Sequence, residues 1–190
     1  MGMNVCEAYL LGALVGDGGL YSEKRGNGST EYRVVWTSKD RVYLEAEIVP
    51  RIIEVMNVLG AKSKIQLRRS STRYEVRVSS KALYNHFKAL RNRLHQLIRE
   101  GEEVITAFIK GFYDAEGEKS GKRVRMWNKD RKLLQLVEIL LMRLGLNNVS
   151  LYLDDRRHEV YCLEVRARER ERFFTLLNEA ARSPRKFRRA

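Results

Sequence analysis

Histidine and cysteine are scarce, at three and two in 190 residues. His86, His95 and His158 are scattered and build no ligand cluster, so they are read as structural or surface residues. Cys6 and Cys162 lie far apart without metal-ligand spacing, and two reduced structural thiols are expected rather than a disulfide or a zinc site. Long apolar runs are missing too. None approaches the length that spans a bilayer, and Leu10 to Val15 is flanked by Glu7 and Asp17, not by the basic start and small-residue cleavage site of a signal peptide. The expectation is a soluble, intracellular, cytoplasmic protein without a membrane partner. Nor does Gly16-Asp17-Gly18-Gly19 make a phosphate loop: no Gly-Lys-Ser/Thr follows, and its acid would repel phosphate.

What the chain has in excess is positive charge. Its 37 lysines and arginines against 24 acids give a net charge of +13 and a pI near 10.0, which points to a polyanion and first to nucleic acid, with an anionic membrane surface as the competitor. Hydrophobic residues make up 44%, enough for a core, and the length suits one domain or two small fused halves.

One kind of segment occurs twice. Glu7 to Leu20 and Thr106 to Lys119 each begin as an apolar helix and end in a carboxylate followed by glycine. Leu10, Leu11, Leu14 and Val15 share one helical face in the first, with Gly12 and Gly16 as a stripe without side chains; Phe108, Ile109, Phe112 and Tyr113 play the apolar part in the second, with Gly111 and Ala115 as the small stripe. Small residues four apart let two helices approach closely. Packed along those stripes, the helices bring Asp17 and Glu116 side by side, where the carboxylates repel unless a cation sits between them. Hard oxygen ligands suit Mg²⁺.

Leu10 to Gly18 (LLGALVGDG) and Ile109 to Gly117 (IKGFYDAEG) resemble the two motifs of a LAGLIDADG homing endonuclease, both in one chain as in the monomeric archaeal type. Val15 replaces the motif's first acid in one copy and Glu116 its second in the other, and neither change removes the catalytic carboxylate position. The resemblance implies that Asp17 and Glu116 hold Mg²⁺, with Mn²⁺ able to substitute, helped by the backbone carbonyls of Gly16 and Ala115. It matches Lys39, Lys119 and Lys129 to the basic residues that flank the family's metal site. It implies a double-stranded DNA endonuclease that cuts one phosphodiester per strand across the minor groove and leaves short 3′ overhangs at a long target. An RNA-splicing maturase or a DNA-binding regulator that lost catalysis are the other classes.

The second half replays the first. Ser38-Lys39-Asp40-Arg41 returns as Asn128-Lys129-Asp130-Arg131, Val34, Val35 and Trp36 as Val124, Met126 and Trp127, Leu59-Gly60 as Leu144-Gly145, and Tyr74 to Val78 as Tyr161 to Val165. A lysine near a helix start is mildly unfavourable to the helix dipole, and that cost at both repeats, Lys39 and Lys129, suggests a use. Asp40 to Leu59 reads as a supporting helix that Pro50 bends or divides. Lys64 to Arg69 and Arg73 to Ser79 form a hairpin turned through Ser70, Ser71 and Thr72, apolar on one side through Ile65, Leu67, Tyr74, Val76 and Val78.

The other side of that hairpin is rich in long hydrogen-bonding groups that reach base edges: Lys64, Gln66, Arg68, Arg73, Glu75 and Arg77, with Arg33 on the strand before it. Lys24 and Arg25, at a loop tip, are within reach of a phosphate backbone. The second half offers Arg123, Arg125, Asp154, Asp155, Arg157, Glu164 and Arg166.

The expected fold is α+β: two pseudo-symmetric αββαββα half-domains, residues 1–98 and 99–190, whose antiparallel sheets form one continuous DNA-binding saddle with its centre over Asp17 and Glu116. Fused, non-identical halves imply an asymmetric target and a monomer. The absence of flanking splicing domains favours a free-standing, intron-encoded protein. The basic tail holding Arg182, Arg185, Lys186, Arg188 and Arg189 is read as a solvated, general contribution to binding.

Overall fold

The computed structural model describes residues 2–182 except Asn27, Ser71, Gly121 and Arg156, and for Lys119, Ser120 and residues 179–182 it describes the backbone alone. The tail from Ser183 and the side chains of Lys119 and Arg182 therefore lie outside the described residues.

Two copies of αββαββα follow one another. The first runs α1 (Val5–Asp17), β1 (Gly18–Lys24), β2 (Thr30–Ser38), α2 (Arg41–Tyr43), a π-helical turn (Leu44–Ile48), α3 (Val49–Val58), β3 (Ile65–Ser70), β4 (Arg73–Ser79) and α4 (Lys81–Asn92). After a 3₁₀ turn at Leu94–Arg99 the second runs α5 (Glu102–Glu116), β5 (Gly117–Ser120), β6 (Arg123–Asn128), α6 (Arg131–Arg143), β7 (Val149–Asp155), β8 (Val160–Val165) and α7 (Arg170–Arg182). Asp40 and Asp130 cap the helices after β2 and β6, each accepting from backbone N–H groups of the first turn.

Helix α1 starts on a reciprocal cap: Glu7 N–H donates to Asn4 Oδ1 at 2.8 Å, and Asn4 N–H donates to Glu7 Oε2 at 2.9 Å. From Cys6 to Leu14 it is buried all round, so its apolar character is not confined to one face. Its small stripe meets that of α5. A Cβ on Gly12 would stand 2.1 Å from Phe108 O, and one on Gly111 2.0 Å from Tyr9 O; the helices touch backbone to backbone there. Tyr9 adds a polar tie across the crossing by donating to Asp114 Oδ2 at 2.6 Å, beside Lys110 at 2.8 Å.

Pro50 has no N–H to give, and the helix before β3 is divided just ahead of it. Val49 N–H reaches back five residues to Leu44 O, so a π turn takes up the irregularity and α3 continues beyond. Helices α3 and α6 both stop at glycines with positive φ, Gly60 at 62° and Gly145 at 80°.

The strands make two four-stranded antiparallel sheets, ordered β1-β2-β4-β3 and β5-β6-β8-β7. Among the described strands no pairing joins one sheet to the other, so the packed pair α1 and α5, not a shared ladder, carries the structure across the junction. In each sheet one face packs under helices: Val34, Trp36, Val76 and Val78 in the first, Val124, Met126, Leu163 and Val165 in the second, all buried. The registers correct the expected echo by one residue. Gly18 pairs with Trp36 and Gly117 with Met126, so Met126 is the counterpart of Trp36, and Trp127 that of Thr37. A slip of one residue changes the face of the sheet. Trp36 accordingly sits in the core with its Nε1–H donating to Leu10 O at 3.0 Å, whereas Trp127 stands on the polar face and donates to Asp154 Oδ2 at 3.1 Å. Val35, which pairs with Arg77 and so shares the polar face with Arg33 and Thr37, is also buried.

Candidate active site and groove surface

Asp17 ends α1 and Gly18 begins β1 with no loop between; Glu116 and Gly117 repeat this at α5 and β5. Gly18 is required by space: a Cβ there would lie 2.7 Å from Val35 O and 2.9 Å from Leu14 Cα. The backbone of Asp17 is pinned by Thr37, whose Oγ1 donates to Asp17 O at 2.7 Å. Between the carboxylates the stripe is still closed, since a Cβ on Gly16 would stand 2.8 Å from Ala115 Cβ and 3.0 Å from Glu116 Cγ. The motif's small residues thus bring the two acids together.

Their partners differ. Arg73 donates to Asp17 Oδ1 at 2.7 Å, and Asn128 Nδ2 donates to Glu116 Oε1 at 3.1 Å. Burial first, then the negative charge of Asp17, push the Glu116 carboxyl up to about 7, while Asn128 and Arg73 act in the opposite sense. A half-buried carboxylate whose ionisation is opposed by the charge of a second carboxylate beside it is a fit for a divalent cation, which relieves that repulsion. Among the described residues no cluster of three or more His, Cys, Asp or Glu side chains supplies a fuller ligand set. Asp17 and Glu116, with backbone oxygens and water, are the donors available. Cys6 and Cys162 are free and buried.

Lys39 and Lys129 both occupy the exposed bend between a strand end and a capped helix start. Lys129 borders a cavity of about 380 Å³ together with Gly16, Glu116 and Asn128, which places a cation on the cavity that Glu116 lines. Lys119 lies on β5 three residues beyond Glu116, its side chain outside the described residues.

The hairpin faces match the expected alternation, with Gln66 opposite Arg77 and Arg68 opposite Glu75; Lys64 falls just before β3. Much of the charge there is paired. Arg33 meets Glu23 at 2.7 Å, Arg77 meets Glu75 at 2.9 Å, and Arg25 meets Glu31 at 2.9 Å, while Lys24 and Arg68 are exposed. Arg33 and Arg77 each leave a buried Nε without a hydrogen-bond partner among the described residues. In the second sheet Glu164 is 5% exposed and serves as an anchor, meeting Arg123 at 3.2 Å and Arg125 at 3.0 Å. Burial alone would raise its pKa, but those two arginines outweigh it and hold the carboxyl below its ordinary value. Asp155 is spent on the turn that carries Arg157, accepting from the N–H groups of Arg157 and His158, and Arg166, beyond the end of β8, donates to Ser150 Oγ at 3.2 Å.

Sequence reasoning missed three of these relationships: the Arg73 to Asp17 pair, the Asn128 to Glu116 bond and the anchoring role of Glu164. Asn128 carried a signal, since it opens the repeated tetrad Asn128-Lys129-Asp130-Arg131. The Arg73 pair joins residues 56 apart and becomes visible only with the strand register.

Comparison with known proteins places this geometry. The profile of the LAGLIDADG-like domain matches residues 103–178. The homing endonuclease I-DmoI of Desulfurococcus mucosus is 46% identical over 166 residues, spanning 87% of this chain and 84% of that protein. The homing endonuclease I-ApeI of Aeropyrum pernix is 29% identical over 76% of this chain and 68% of its own. Among solved structures, a single-substitution variant of I-DmoI in complex with its target DNA in the presence of manganese superimposes with a TM-score of 0.84 at 42% identity, covering 92% of this chain and 94% of that one. I-DmoI in complex with DNA and calcium gives a TM-score of 0.84 at 42% identity, covering 93% and 95%.

Proposed function

This chain belongs to the LAGLIDADG homing endonuclease family, and from that premise we propose that it is a site-specific, divalent-metal-dependent endonuclease of double-stranded DNA. The observation that carries the reading is the placement of Asp17 and Glu116 at the touching ends of α1 and α5, between two sheets with arginine-rich faces.

The duplex lies along the polar faces of the two sheets. Lys24 and Arg25 reach the backbone at one loop; Arg33, Lys64, Gln66, Arg68, Arg73, Glu75 and Arg77 serve one half-site, and Arg123, Arg125, Asp154, Asp155, Arg157, Glu164 and Arg166 the other. Within these sets the buried Glu164 acts by holding Arg123 and Arg125. Because Arg77 and Glu164 occupy equivalent register positions, opposite Val35 and Arg125, the half-sites differ in chemistry and the target is asymmetric. The fused halves, residues 1–98 and 99–190, act as a monomer.

Asp17 and Glu116 would hold Mg²⁺, with Mn²⁺ as a substitute and the carbonyls of Gly16 and Ala115 as further oxygen donors. A divalent cation, when bound, supplies Lewis acidity that activates water and stabilises the departing oxygen. The chain's own part is positional. Gly12, Gly16, Gly111 and Ala115 set the distance between the carboxylates, Asn128 orients Glu116, and Lys39, Lys119 and Lys129 add positive charge where the cleaved phosphates lie. The product is one cut per strand with short 3′ overhangs. Cleavage selection from a randomised or genomic library with Mg²⁺ tests the reading: a single long target cut by the wild type, and by neither Asp17→Asn nor Glu116→Gln, supports it, and cleavage without site preference refutes it.

A further inference from the structure

Arg73 and Val160 occupy equivalent places in the two halves. Each opens a strand, β4 or β8, one residue before the tyrosine that pairs with the last residue of β2 or β6: Tyr74 with Ser38, and Tyr161 with Asn128. In the first half this position holds a guanidinium that donates to Asp17 at 2.7 Å. In the second it holds an apolar side chain that borders the cavity beside Glu116. The two carboxylates are therefore unlike: Asp17 is paired with a guanidinium, and Glu116, among the described residues, accepts its hydrogen bond from a neutral amide and borders a cavity.

We propose that Arg73 is a built-in counter-ion of the metal-free site, which occupies Asp17 until a DNA phosphate draws it off, so that metal binding and DNA binding favour each other through this one residue. The inference rests on the reading of Asp17 and Glu116 as the metal-holding pair. A guanidinium and a divalent cation compete for the same carboxylate. The guanidinium is free to leave, since the Arg73 side chain is 47% exposed and stands at the end of the hairpin, where Arg73 pairs with Ser70. It also has a better destination. Phosphate accepts two parallel N–H bonds from arginine, and Arg73 lies on the polar face that meets the duplex. An exposed ion pair is weak enough to be displaced at modest cost, so Arg73 tunes metal occupancy instead of blocking it. Linkage requires the effect to be reciprocal: what DNA does for metal affinity, metal does for DNA affinity.

The test is binding, not cleavage. Mn²⁺ is titrated into the metal-free protein without DNA, and bound ion is followed by electron paramagnetic resonance in the wild type, Arg73→Gln, Arg73→Lys and Asp17→Asn. Arg73→Gln should bind Mn²⁺ about three- to tenfold more tightly than the wild type, the factor corresponding to an exposed ion pair and one removed unit charge, with Arg73→Lys in between. The affinity of a labelled mixed-sequence duplex, measured by anisotropy with and without Ca²⁺, should rise more on adding the ion for the wild type than for Arg73→Gln. Equal or weaker Mn²⁺ binding by Arg73→Gln, with Asp17→Asn still impaired, overturns the role of Arg73 and leaves the metal site standing. If Asp17→Asn binds Mn²⁺ as the wild type does, the carboxylate pair is not the metal site and both readings fall.

Discussion

Glu164 and Arg125 lie on neighbouring strands with Oε2 and Nε 3.0 Å apart, and the carboxylate is almost out of solvent while the arginine is 31% exposed. An arginine braced in this way enters a groove with its direction already set, and a bidentate grip on guanine is worth about 1–3 kcal/mol against a wrong base. Arg125→Ala should therefore relax preference at one or two positions of one half-site and leave the other unchanged. Glu164→Gln should blur the same positions and lower stability by about 1–3 kcal/mol, the cost of a lost charged partner in a buried setting. A cleavage profile over all single-base variants of the target reads both effects; uniform weakening across variants would make Arg125 a phosphate contact.

At the crossing of α1 and α5 no side chain can be added without moving backbone, because the blocking atoms at Gly12 and Gly111 are Phe108 O and Tyr9 O. Gly12→Ala or Gly111→Ala should cost about 3 kcal/mol or more by overpacking. Gly26→Ala, where nothing lies within 4 Å, should change stability by less than about 1 kcal/mol. Denaturant titration of the three variants measures the contrast.

The helix pair was legible in the sequence because its signal is local: small residues four apart, then an acid and a glycine, twice. The strand faces were legible because their period is two and the side chains on each face differ in kind. What was hidden depends on register. Trp127 was matched to Trp36 because both are tryptophan, yet pairing with the strand that follows each motif makes Met126 the equivalent, and one residue turns an aromatic ring from core to groove. Glu164 reads as one more polar-face acid until β6 sets Arg125 opposite it. Arg73 reads as a base reader until the hairpin end swings to Asp17.

Glu7 links stability to pH. Burial raises its pKa, but the interaction with His86 at 2.9 Å and the Asn4 N–H outweigh this and hold the carboxyl below its ordinary value of 4.5. A group whose pKa is depressed by folding stabilises the folded state above its unfolded pKa, and loses that contribution as pH falls through the folded value. Glu7→Gln should be less stable than the wild type by about 1 kcal/mol at neutral pH. The gap should shrink as pH falls below 4.5, the ordinary value for a glutamate. Paired thermal melts across that range check the sign; a gap that widens in acid contradicts it.

The tail contributes charge without an acid to offset it. Deleting Ser183 to Ala190 removes Arg185, Lys186, Arg188 and Arg189, and it should weaken binding to cognate and random duplexes alike while flattening the dependence of affinity on salt. Loss confined to the cognate duplex would show that the tail reads sequence.

On the proposed function, Asp17 and Glu116, brought together by a close helix crossing, form one shared metal-dependent site. The most direct measurement is strand-resolved cleavage of the selected target by Asp17→Asn and by Glu116→Gln in Mg²⁺, beside DNA binding by the same proteins. A shared site predicts that each substitution abolishes most cleavage of both strands while DNA is still bound as tightly as by the wild type, or more tightly because less negative charge faces the phosphates. Full cleavage of either strand by either variant would contradict it.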